Sequence, residues 1–144
     1  MTIYALQQRL KNYNLNAEIV KAIKVTKDVL LDFNRSQLMS GRNALNLRIQ
    51  PRYRTKGYAK SKNKRNRKPG LGVPDLFNDG NFQEKLDVKV RVKDMEFTSL
   101  DYKTPMLTEK YHNILGVTAG NMEKYVKNTL HPKLTESLKK ALTK

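Results

Sequence analysis

Residues able to do acid–base or metal chemistry are few in this chain and poorly spaced for it. Its histidines are His112 and His131, and it has no cysteine. Glu109 and His112 stand in the Glu-x-x-His spacing that lets a helix offer two ligands to a metal. A di-metal bundle site needs a second such pair and further carboxylates, which the chain does not supply. The two read as a helix-surface pair. Asp75 and Asp79 flank a Pro-Asp-Leu turn, where aspartates bond their own backbone more often than they act as acid and base. Asp28 and Asp32 lie one helical turn apart on a solvated face. Gly70-Leu71-Gly72 is too short to wrap a phosphate and lacks the following Lys-Ser/Thr of a phosphate-binding helix. The expectation is a non-enzyme without metal or cofactor.

Charge points elsewhere. Between Arg48 and Lys68 stand Arg48, Arg52, Arg54, Lys56, Lys60, Lys62, Lys64, Arg65, Arg67 and Lys68, ten cations with no acid among them. Such a block repels itself and stays extended until an anionic partner neutralises it. The segment is therefore expected to be a basic arm, disordered in the free subunit. Tyr53 and Tyr58 are interleaved with these cations, and aromatic faces among cations stack on bases or pack against a neighbouring subunit. The arm carries no regular code of base-reading side chains, so nucleic-acid contact is expected to be to phosphates and blind to sequence. The plain alternative is a solvated loop.

At 144 residues the chain is expected to be one domain, helical over 1–41, an arm over 42–73, and hairpin with C-terminal helices over 74–144. A net charge of +16, a pI near 10.1 and a mean hydropathy of -0.71 suit nucleic acid, an anionic surface or an acidic partner. No apolar run is long enough for a bilayer, and the N-terminus lacks the pattern of a secretory signal. The basic run also lacks the interleaved apolar residues of an interfacial helix, so no membrane partner is expected. Absence of cysteine suits a reducing cytosol.

The positioning elements follow from periodicity. Ile3 to Leu10 is a short amphipathic piece, broken at Asn12–Asn16. Asn16 is expected to cap a long helix with Glu18 in its first turn, Ile19, Ile23, Leu30 and Phe33 as its apolar face, widened by Val20, Leu31 and Leu38, and Gly41 as its left-handed stop. Leu45, Leu47 and Ile49 alternate like a short strand. Leu86, Val88, Val90 and Val92 alternate with charged residues, Lys93-Asp94 marks a tight connection, and Met95 and Phe97 resume the alternation, which predicts an antiparallel hairpin. Its inward residues are expected to face Ile19, Ile23, Leu30 and Phe33. Thr104-Pro105 opens a helix, Gly116 and Gly120 bracket a turn, and Met122–Leu142 is helical with a kink or break at His131-Pro132. The order predicts an α+β domain: a long N-terminal helix on a small antiparallel sheet, with C-terminal helices and an inserted basic arm.

These motifs in this order resemble the virion-morphogenesis proteins of tailed phages, the tail-completion or neck proteins at the head–tail junction. The resemblance runs through QLMSG at 37–41, IQPRY at 49–53, Tyr58-Ala59 with the Lys-rich stretch, and PDLFNDGNF at 74–82 with its hairpin. It continues in YHNILG at 111–116 and PKL at 132–134. The turn that opens the sheet is carried by Pro74, Leu76, Asp79, Gly80 and Phe82, with Asp79 where the family prefers threonine. The resemblance implies a structural protein that forms a closed ring of itself, of about six or about twelve copies. It also implies portal or adaptor and tail proteins as partners, non-specific contact with packaged DNA, and residence in the host cytoplasm and then the virion. The alternative is a ribosomal-type or other sequence-independent RNA- or DNA-binding protein. Against it, the chain has neither a Gly-x-x-Gly loop nor the exposed aromatic strand of an RNA-recognition sheet.

Overall fold

The computed structural model of the chain describes residues 1–143. The fold is α+β. Helix α1 (Ile3–Asn12) turns at Tyr13 into α2 (Leu15–Met39), whose N-cap is Asn14 rather than Asn16. Asn14 Oδ1 accepts the Ala17 amide at 3.0 Å, and Asn16 is already inside the first turn, so the helix starts two residues early. At the other end the expected stop holds. Gly41 has φ +69°, its amide donates to Leu38 O at 2.9 Å, and the Arg42 amide reaches Gln37 O at 2.9 Å. That doubled bond pattern is a Schellman motif. A Cβ on Gly41 would fall 2.6 Å from Pro69 Cβ and 2.7 Å from Val73 Cγ1, so close packing also demands glycine.

Beyond α2, residues 42–49 do not form a strand. Asn43 Oδ1 takes the amides of both Leu45 and Leu47 at 3.0 Å, which curls the segment and leaves those leucines exposed while Ile49 is buried. The alternation was therefore that of a loop held by one asparagine. Next come α3 (Lys56–Arg65), one turn of helix α4 (Asn81–Glu84), and the hairpin of β1 (Leu86–Val90) and β2 (Met95–Ser99). Its register pairs Leu86 with Ser99, Val88 with Phe97 and Val90 with Met95. Arg91 N donates to Asp94 O at 2.8 Å and closes the turn, so Val92 lies at the tip, 71% exposed, and not on the inner face.

The core gathers Leu31 and Leu38 of α2, Ile49, Phe82, Leu86, Val88, Tyr111 and Ile114, with Val90, Met95 and Phe97 packed at its margin. Ile19, Ile23 and Phe33 are only half-buried, so the face of α2 that meets the sheet differs from the one expected. A helix of 25 residues is about 38 Å long and cannot face one partner throughout. Its first half meets the C-terminal helix, where Ser137 Oγ donates to Glu18 Oε2 at 2.7 Å. Its middle meets Tyr125, whose hydroxyl is 2.7 Å from Thr26 Oγ1, and β1, where Lys27 pairs with Asp87 at 2.8 Å. Its last half meets the sheet core and the 114–118 turn.

Helix α5 (Thr104–Lys110) starts where Thr104-Pro105 predicts. Gly116 is in the following turn, but Gly120 is in the first turn of α6 (Ala119–Tyr125), capped by Thr118. The chain then widens into a π-helical stretch, Val126–Leu130, and continues as α7 (His131–Thr143). Pro132 has no amide to give, and the wider turn before it absorbs the missing bond, so the helical path is adjusted without a break. No helix among the described residues is long and apolar enough to cross a membrane.

Candidate phosphate and partner interface

The basic segment is not extended throughout, contrary to the expectation of an extended arm. Lys56–Arg65 is helical, and the sequence disguised it because its apolar content is confined to Tyr58 and Ala59. What fixes the helix is polar. Lys62 Nζ is 2.8 Å from Asp75 Oδ1 and also donates to Phe77 O, with both ionic side chains over nine-tenths buried. Asn66 Nδ2 bridges Met39 O at 2.7 Å and Asp75 Oδ2 at 3.2 Å, which ties the end of α3 to the end of α2. The acid missing from the arm comes from the next segment. Lys62 is therefore a structural cation and not a phosphate contact.

The other nine predicted cations, Arg48, Arg52, Arg54, Lys56, Lys60, Lys64, Arg65, Arg67 and Lys68, are exposed, and none makes an ion pair among the described residues. Arg52, Arg54, Lys56 and Lys60 line one groove, and the others stand in α3 or in the loops that flank it. Lys64 and Arg65 lie in the last turn of α3, beside the negative end of its dipole. Tyr53 and Tyr58 pack edge to face, ring centroids 4.9 Å apart at 85°. Burial, with the Asp75 charge adding to it, pushes the Tyr53 phenol well above the usual tyrosine range.

The turn residues serve the fold. Pro74 and Phe82 are buried, and Leu76 packs on the core with φ +55°. Asp75 Oδ1 accepts the Phe77 amide and Asp79 Oδ1 the Asn81 amide, each at 3.0 Å, so both aspartates bond their own turns. The Asn81 amide, with Lys103 nearby, holds the Asp79 carboxyl below its usual range. Gly80 has φ +85°. Glu109 is in the last turn of α5 and His112 lies beyond its end, both exposed, so they are not one helix-surface pair. Among the described residues no three His, Asp or Glu side chains converge as metal ligands.

Two features escaped sequence reading. Lys110 and Tyr111 close a pocket with Tyr53 and Tyr58. Asn34 and Gln37, on the buried side of α2, clamp the 114–118 turn. Asn34 Oδ1 accepts the Gly116 amide at 3.1 Å, and Gln37 Oε1 accepts the Thr118 amide at 2.9 Å. The signal was present, since both amides interrupt the apolar stripe between Leu31 and Leu38.

The hairpin has unequal edges. Lys85 pairs with Leu100 and Arg91 with Asp94, so by alternation the amides and carbonyls of Met95 and Phe97 point away from β1. They have no partner among the described residues. On the opposite edge the Val88 amide donates to Asp87 Oδ1 at 2.8 Å, and Lys27 holds that carboxylate below its usual range. Just beyond the end of β2, Leu100 and Tyr102 are 73% and 82% exposed. Comparisons with protein families, curated proteins and solved structures gave no match.

Proposed function

We propose that this chain is a structural virion protein of a tailed phage, a ring-forming subunit of the neck that borders the DNA path between head and tail. The observation that carries the reading is the open edge of β2, with Leu100 and Tyr102 exposed just beyond its end. A two-stranded sheet is marginal alone, and an unblunted edge that ends in exposed apolar side chains is a place where another chain adds. A head-to-tail ring needs two different surfaces. The second is offered by α1 and α2, where Ile3, Tyr4, Leu15 and Val25 are exposed on separate elements from β2. The exposed cations of α3 and its flanking loops suit a wall along which phosphates slide without base recognition. Portal or adaptor and tail proteins are the partners this reading gives to the ring's two faces.

Replacing Leu100 and Tyr102 together by Asp tests it. Both side chains are exposed, so monomer stability should change by less than about 0.5 kcal/mol for each. Sedimentation velocity should show a ring for the parent chain and a folded monomer for the variant. Identical sedimentation of the two would remove this edge from the interface.

A further inference from the structure

We infer that the pocket between Tyr53, Tyr58 and Tyr111 binds an unpaired nucleotide of single-stranded nucleic acid. The pocket is open, about 670 Å³ in volume, and three tyrosines line it together with Arg52, Arg54 and Lys110. Its size falls within the range of about 300–1,000 Å³ typical of small-molecule sites. The aromatic and cationic parts are separately available. Tyr53 and Tyr58 brace each other edge to face, and Tyr58 keeps 44% of its surface free. Tyr111 is buried beneath, with Lys110 Nζ 5.2 Å from its ring centroid. Arg52, Arg54 and Lys110 make no ion pair among the described residues, which leaves their charge available at the mouth.

A braced aromatic ring with guanidinium groups around it matches a flat base joined to a phosphate. Bases within a duplex are stacked inward and cannot enter, so the preference is for a strand with unpaired bases. An acidic peptide would use the cations alone and leave the tyrosines without a role. The site stands on the pocket itself and holds whether or not the chain closes into a ring.

Fluorescence anisotropy with a short labelled oligothymidylate, an oligouridylate and a duplex of equal phosphate number, at matched salt, tests the site. At least one single strand should bind more tightly than the duplex. Tyr58→Ala, at an exposed position, should weaken that single strand by about tenfold or more and leave duplex binding unchanged. Arg52→Gln with Arg54→Gln should weaken both. Circular dichroism of each variant checks that the fold is kept. Equal affinity for single strand and duplex, an unaffected Tyr58→Ala variant, or displacement by polyglutamate as efficient as by oligothymidylate would each overturn the assignment.

Discussion

Lys62 and Asp75 form an ion pair at 2.8 Å, with side chains 7% and 5% exposed, and this pair anchors the most basic helix of the chain to the turn that opens the sheet. A cation spent on structure stands in the middle of a surface otherwise suited to phosphates. Burying both charges costs desolvation, so the pair is weak evidence of stability by itself, but losing one partner strands the other. Lys62→Met should therefore destabilise the fold by about 3–5 kcal/mol, and Lys62→Met with Asp75→Asn should recover part of that loss. Urea unfolding gives both values. Hydrogen exchange should show protected amides in Lys56–Arg65 of the parent chain and lose them in Lys62→Met. Unprotected amides in the parent would mean that the helix is not held this way.

Core placement separates two valines of the same hairpin. Val88 is buried against Leu31 and Leu38, whereas Val92 is at the tip. Val88→Asp should cost several kcal/mol, because a charge in that core has no partner. Val92→Asp should stay within about 0.5 kcal/mol of the parent. Thermal melts of the pair check the register directly, and equal melting temperatures would contradict it.

Alkaline pH should unfold this chain through buried phenols. Burial raises the pKa of Tyr125, partly offset by its bond to Thr26, and burial with the Asp75 charge raises that of Tyr53, so both phenols resist ionisation in the fold. Unfolded tyrosine ionises near about 10. Below that pH both states hold the phenol protons and the contribution is fully present. As pH rises further the unfolded state gives up its protons first, so stability falls. Tyr125→Phe should lose about 0.5–1.5 kcal/mol at neutral pH with the Thr26 bond, yet decline less steeply above about pH 10. Urea midpoints over that range read the difference, and parallel declines would exclude Tyr125 as a source.

Duplex DNA should bind weakly, without sequence preference, and with steep salt dependence. A surface engaging about four phosphates gives a slope of roughly -3.6 in log K against log salt. Changing Lys64, Arg65 and Arg67 to Gln should flatten the slope by up to about 2.7 while the fold is retained, since all three are exposed and unpaired among the described residues. Lys62 must be left in place. A salt-resistant complex selective for a structured RNA would favour the ribosomal-type alternative.

Much of this architecture was legible because its signals are local. Gly41 after a long apolar stripe, alternation from Leu86, and Pro105 behind Thr104 each specify a backbone without help from distant residues. The errors share a cause as well. Lys62 looked like its neighbours because its partner Asp75 lies thirteen positions on, outside any helical or strand period. Leu45 and Leu47 mimicked a strand because one side chain, Asn43, set their backbone. The pocket was half visible: Tyr53 and Tyr58 stood out among cations, while Lys110 and Tyr111 arrive only through tertiary packing.

Whether copies of this chain close on one another is read from native mass spectrometry of the purified protein. A single closed oligomer, of about six or about twelve copies, should be found, and it should dissociate to monomer when Leu100 and Tyr102 are replaced by Asp. A monomer at every protein concentration, or an open series of sizes unaffected by that replacement, would contradict the closed ring.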